Sequence, residues 1–266
     1  MKQTNEEITG MVLETAKDLE NVLNTELLIY FAKAHNIPLD QNRFLLKQEI
    51  VARGAYFLNV KKKYCLFITN EEHVELTKPK VDSKGMITRR SDYPSITKER
   101  VQQILDMLVA SETVDYAKIK KFIDETEKEL LILCRNGQKE IARPVTFSKD
   151  EESYKKAPPQ IAGMKFWNLC EYAVFVPGTK GYLFKIKGID YEKSPERIRK
   201  LQGQLESHKM QYIVVPTEEP RLPEYYIIDV DAMLKFAWID RISELLEPIS
   251  PHIWHKQDPN AGNFSF

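Results

Sequence analysis

The sequence predicts an α+β fold in which a long helix and antiparallel strands are followed by a mainly helical region with a small β insertion. Three observations carry that expectation. Apolar residues near the N-terminus recur at helical spacing, β-prone runs cluster between Phe44 and Ile68, and helical patterns return beyond Pro94, interrupted by two short strand-like runs.

Thr4-Asn5-Glu6-Glu7 has the S/T-x-x-E form of a capping box, and Ile8, Met11, Val12, Leu19, Leu23, Leu27 and Tyr30 follow at helical spacing. These predict an amphipathic helix over about residues 5–35, ended at Asn36-Ile37-Pro38 because the proline ring disfavours helix at the preceding residue. Tyr56-Phe57-Leu58 and Tyr64-Cys65-Leu66-Phe67-Ile68 predict two short strands joined by Lys61-Lys62-Lys63. Read as part of a strand, the three lysines put ammonium groups on both faces of a ribbon, which suits a polyanion. Residues 70–94 are charged and turn-rich, and Pro94 suits a helix start.

Val101, Ile104, Leu105, Leu108 and Val109 predict one helix, and Ile119, Phe122, Ile123, Leu130 and Leu131 another, stopped at Asn136-Gly137 by a residue that accepts positive φ. A polar loop is expected over 148–159. A helix near 160–173, a strand over 181–187, a helix near 194–208 and a strand over 211–215 follow. The last helix begins near Asp229 and runs past Leu246 to Pro248.

At 266 residues with 42% apolar and 29% charged residues, the chain can bury one large or two modest cores. It has no run approaching the roughly 18 apolar residues of a spanning helix, and its polar N-terminus is unlike a signal peptide, so a cytoplasmic location without a membrane partner is expected. Cys65, Cys134 and Cys170 are odd in number and far apart, which points to buried free thiols rather than disulfides or zinc. His252 and His255 lie three apart without nearby ligands, so no metal is expected there.

Net charge is zero but unevenly spread: −3 over residues 1–46, +5 over 47–100, −2 over 101–138, +5 over 139–210 and −5 over 211–266. Alternating blocks of this kind fit one polyanion-facing surface with a solvated or partner-facing back.

Three segments in order then become informative: Lys47-Gln48-Glu49-Ile50-Val51-Ala52-Arg53, Lys61-Lys62-Lys63-Tyr64-Cys65-Leu66, and Lys84-Gly85-Met86-Ile87-Thr88-Arg89-Arg90-Ser91-Asp92-Tyr93. Together they resemble the C-terminal third of a family B DNA polymerase, most closely the replicative enzymes of T-even-type bacteriophages. Pro158-Pro159-Gln160-Ile161-Ala162-Gly163 with Phe166-Trp167-Asn168, Val176-Pro177-Gly178-Thr179-Lys180-Gly181-Tyr182, and Ile239 to Ile249 resemble later segments of the same family more loosely. The resemblance implies that residues 1–93 are the end of a palm domain, 94–255 a thumb and 256–266 a flexible tail.

The family's metal-binding motifs D-x-x-S-L-Y-P-S and Y-G-D-T-D-S and its nucleotide-gripping K-x-x-x-N-S-x-Y-G do not occur here. Residue 1 falls shortly after the place where Y-G-D-T-D-S ends in the family. The expectation is therefore a piece of a split or longer polymerase, without catalytic residues or metal of its own. Mg2+ and dNTP are expected on an upstream polymerase chain carrying exonuclease, fingers and palm aspartates, because phosphoryl transfer needs two bound divalent ions.

The resemblance further implies that Lys61, Lys62 and Lys63 hold primer-template duplex DNA and that Tyr64 packs near the primer end. It puts Arg90 on a phosphate at the thumb base, Ser91 and Asp92 in a capping or turning role, Glu49 near the active site, and Trp167, Asn168 and Lys180 on the duplex-facing thumb surface. Lys185 and Lys187, two apart on one strand, share a face and are candidates for further phosphate contacts. Phe264 and Phe266 sit where the phage enzymes carry a tail for a sliding clamp. Two rival readings stand beside this one. The first is a free-standing, sequence-independent duplex DNA binder or clamp-interacting protein derived from a polymerase, and the second an interaction protein working through its acidic segments.

Overall fold

The computed structural model describes residues 4–41, 43–148, 158–171, 178–207 and 211–249. The fold mixes helices with antiparallel sheets, as an α+β class requires. It divides into two compact units, Met1–Lys84 with Leu105–Val114, and Gly85–Ile104 with Asp115–Phe266. The expected boundary at 93/94 thus falls inside the second unit.

In the first unit, helix α1 (Asn5–Val22) starts on the expected capping box: Thr4 Oγ1 accepts from Glu7 N at 3.2 Å and Glu7 Oε2 accepts from Thr4 N at 2.8 Å. A π-helical turn over Leu23–Leu27 joins it to α2 (Leu28–Ala34). The stop comes from Asn36, at φ 54°, with the N–H groups of Asn36 and Ile37 returning to the carbonyls of Lys33 and Ala32. An asparagine tolerates that left-handed conformation, so the helix has ended before Pro38 acts.

Strands β1 (Ile50–Phe57), β2 (Tyr64–Glu71) and β3 (Val74–Lys84) form an antiparallel sheet in that order. Cys65, Leu66 and Ile68 of the central strand are buried. Gly54 is where this sheet meets backbone, since a Cβ added there would lie 2.0 Å from the Val109 carbonyl oxygen.

Two expectations are corrected here. The lysines are not in a strand: residues 60–63 form a tight turn in which Lys63 N–H donates to the Val60 carbonyl, so cations do not alternate across a ribbon. Residues 74–84, expected as irregular, are β3. Its alternation was hidden because it is an edge strand, where Lys78, Pro79 and Lys80 are tolerated and few side chains are buried.

The second unit carries most of the core. Helix α3 (Ser95–Val109) starts in this unit, and α4 (Tyr116–Arg135) begins on Asp115, whose carboxylate accepts from Lys118 N. Gly137, at φ 65°, ends α4 with Gly137 N–H bonded to Cys134 O and Gln138 N–H to Leu133 O, as its sequence predicts. Strands β4 (Arg143–Thr146), β5 (Lys180–Ile189) and β6 (Tyr212–Pro216) form a second antiparallel sheet, and β7 (Tyr226–Ile228) pairs with β5. Between β5 and β6 the chain forms two short helices, α6 (Glu196–Lys200) and α7 (Gln202–Ser207).

Helix α5 (Pro159–Glu171) packs on β6 with Gly163 close to Ile213 and Val214. The final stretch runs from α8 (Val230–Leu234), capped by Asp229, through a π-helical turn at Lys235–Ile239 into α9 (Asp240–Leu246). The Thr97 hydroxyl donates to the Ala237 carbonyl at 2.8 Å, and Phe166, Phe184, Ile198, Ile213 and Trp238 are buried in this unit. Cys65, Cys134 and Cys170 are free and buried, and burial pushes their thiols up to about 12, 11 and 11 respectively. Among the described residues no helix is long and apolar enough to cross a membrane.

Candidate nucleic-acid interface

The first unit presents a basic sheet end. Lys61 and Lys62 are exposed in the β1–β2 turn, closed by Leu58 N–H donating to the Lys63 carbonyl at 3.1 Å. Lys62 occupies the left-handed region at φ 65°. A side chain with a Cβ pays about 1–2 kcal/mol for that conformation, which glycine avoids.

Register adds a fourth cation. Tyr64 opens β2, with Phe57 of β1 on one side, ring centres 6.0 Å apart, and Lys84 of β3 directly across on the other. Lys84 was missed as a candidate because the strand that delivers it was hidden; its only sequence signal was its place in the Lys84-Gly85 motif. Glu49 is at the other end. It is exposed just before β1, its carbonyl accepting from Glu72 N–H, and the length of the strand separates it from the lysine turn by roughly 25 Å.

The second unit holds an arginine cluster around Asp92. Arg90 Nε and Nη2 donate to Asp92 Oδ1 and Oδ2 at 2.9 and 2.8 Å, and Arg143 Nη2 reaches Oδ2 at 3.4 Å. The hydrogen bonds from Arg90 hold the Asp92 carboxyl below its usual range, against a smaller opposing effect of burial. Aromatic faces orient the cations: Arg90 and Arg241 lie 5.0 and 5.5 Å from the Tyr93 ring centre, and Arg143 lies 5.9 Å from that of Phe236. Tyr93 and Phe236 are themselves stacked at 5.8 Å.

Arg241 also donates to the Tyr93 hydroxyl and pairs with Glu244. Two guanidiniums share the carboxylate of Asp92, with Glu244 and Asp240 beside Arg241 as further counter-charges, and their planar forks match phosphate oxygens. Asp92 therefore fixes cations in place, which is more than the turn role expected of it. Arg143 lies 51 residues from Asp92 and carried no sequence signal.

The remaining candidates are scattered. Trp167 is only 3% exposed, so the duplex-facing role implied for it is replaced by a core role; Gly163, Phe166 and Cys170 on the same helix face are buried with it. That i, i+3, i+4 pattern was readable in the sequence. Asn168 is half-buried on α5, and Lys180 is exposed at the start of β5 opposite Thr146. Lys185 and Lys187 share a face as expected but converge on the cap carboxylate of Asp229, at 3.4 and 3.7 Å, and Lys187 also meets Asp231. Phe264 and Phe266 lie outside the described residues. Among the described residues no His, Cys, Asp and Glu side chains group as a metal site.

Comparison with protein-family models and with curated proteins finds no match to this chain.

Proposed function

We propose that the chain is the palm-closing and thumb portion of a family B-type DNA polymerase resembling those of T-even phages. In this reading it grips primer-template duplex during replication while another polypeptide supplies the metal-binding aspartates, Mg2+ and dNTP. The first unit corresponds to the palm end and the second to the thumb.

The observation that carries the reading is the lysine turn. Lys62 bears left-handed strain in a position where glycine would be comfortable, and the same sheet end gathers Lys61, Lys63, Lys84 and the Phe57–Tyr64 pair. A grip that must accept any sequence uses phosphates and the minor-groove acceptors common to both pair types, and compact ammonium groups on long stems suit both. Arg90 and Arg143 supply planar forks for backbone phosphates, with Asp92 as the counter-charge that releases them when phosphate arrives.

The test is reconstitution. The purified chain is mixed with the polypeptide carrying the D-x-x-S-L-Y-P-S and Y-G-D-T-D-S motifs, and primer extension is followed with Mg2+ and dNTP. A complex that restores extension is expected; absence of both ends the reading. Equal, salt-sensitive duplex affinity with and without that polypeptide, and no extension, would instead favour a free-standing DNA binder.

A further inference from the structure

Helix α1 is attached to its own unit by its polar side. Glu20 Oε2 accepts from Gln48 N at 2.9 Å and from His73 Nε2 at 2.9 Å, and Asn24 brackets Leu46, accepting from its N–H at 2.8 Å and donating to its carbonyl at 2.7 Å. Lys17 and Asn21 line the same cleft. At 100° per residue, positions 17, 20, 21 and 24 share one face, and Ile8, Val12, Thr15, Leu19 and Val22 lie opposite.

That opposite face is open. Ile8 is 45% exposed, Leu19 55%, Leu27 52% and Tyr30 72%, and Ala32 is the one buried apolar residue on α1, the π turn and α2 among the described residues. The apolar stripe runs roughly 35 Å at 1.5 Å per residue. An amphipathic helix normally buries its apolar stripe and hydrates its polar one, so the arrangement here is inverted. Contiguous apolar patches of this extent mark protein contacts.

Charge selects the occupant. Glu14 and Asp18 are exposed along one edge of the stripe, and residues 1–46 carry a net charge of −3. Two copies packed through this face would set these carboxylates against one another, whereas a partner with lysine or arginine beside its own apolar surface would pair with them.

We infer that the apolar face of α1 and α2 is the docking surface for the polypeptide that supplies the aspartate motifs, and that this polypeptide presents an apolar surface edged with basic side chains. The inference rests on the polymerase reading above. Docking covers Ile8, Val12, Leu19, Val22, Leu27 and Tyr30, and Glu14 and Asp18 speed and orient association.

The experiment compares the full-length chain with two variants, Val12→Glu/Leu19→Glu and Glu14→Lys/Asp18→Lys, by sedimentation and titration against the polypeptide carrying the aspartate motifs. Both sites are exposed, so circular dichroism and Tm should match the parent chain. The first variant is expected to weaken the complex at least ~100-fold, and the second to weaken it ~10-fold at low salt with the difference shrinking at high salt. A parent complex that restores primer extension but is untouched by the Val12→Glu/Leu19→Glu change overturns the docking surface and leaves the polymerase reading standing. Self-association of the parent chain that this variant abolishes overturns it in favour of a second copy. No complex and no extension by the parent chain removes both together.

Discussion

Among the described residues, nineteen large apolar side chains are exposed, and sixteen of them belong to the first unit although it is the smaller of the two. There Phe44, Leu45, Phe57 and Val74 are each more than 60% exposed, in addition to the apolar residues of α1. The second unit exposes Tyr116, Ile132 and Ile227 while burying Phe166, Trp167, Phe184 and Trp238. Chemically similar sequences have thus produced one self-sufficient core and one set of elements whose apolar surface is left for something else to cover. The first unit buries a small apolar set, Cys65, Leu66, Ile68, Leu105, Leu108 and Val109, and adds polar links such as Asn24 to Leu46, whereas the second buries many more large side chains. Burial is the larger stabilising force, so the second unit should dominate stability and the first should dominate association.

The largest effect that would break this contrast is in the second core. Trp238 is 1% exposed at the π-helical turn before α9. Trp238→Ala is expected to cost about 3–5 kcal/mol and to leave a cavity, measured as a lowered Tm and urea midpoint. If Leu19→Ala on the open face costs as much, Leu19 is buried in the free chain and the two units are not different in kind.

Next is Gly54, the point in the first unit where backbone meets backbone. A methyl group 2.0 Å from the Val109 carbonyl oxygen cannot be accommodated without moving β1 or α3. Gly54→Ala is expected to cost about 1–3 kcal/mol, with amide exchange rising in β1 and β2 before it rises in β5 and β6. Loss of protection in both sheets together would mean that the units do not unfold separately.

Much of this contrast was legible in the sequence, and its failures have physical causes. The capping box at Thr4, the Asn136-Gly137 stop and the Asp229 start are local events, decided by residues within four positions of one another, and each is legible in a short window. The edge strand β3 was lost because only one neighbour orders it, so it needs little apolar alternation. The lysine turn resembles strand in sequence because the left-handed conformation of Lys62 violates the turn preference that would announce it. Lys84 joins its site through strand register and Arg143 through a side-chain contact 51 residues away along the chain, and neither is written in any local window. The inverted helix was half visible: its apolar stripe was predicted, but which side faced the unit depended on Asn24, Glu20 and Gln48 meeting across more than twenty residues.

The smallest expected effect on stability concerns Lys62, and it separates strain from function most cleanly. Lys62→Gly relieves about 1–2 kcal/mol of left-handed strain but gives back about 0.5–1 kcal/mol in unfolded-chain entropy, so Tm should hold steady or rise slightly. If the ammonium group is there for phosphate, the same change lowers duplex affinity several-fold and reduces the slope of log affinity against log salt by about one. Salt titration of a fluorescent duplex checks this directly, with Lys78→Gly on the β3 edge as a control that removes one positive charge away from the turn. Equal losses in the two variants would assign the effect to bulk charge. A selective loss at Lys62 would mean that the first unit, poor in core, keeps a strained residue for the contact it makes, whereas the second unit secures its cations with Asp92 and aromatic faces instead.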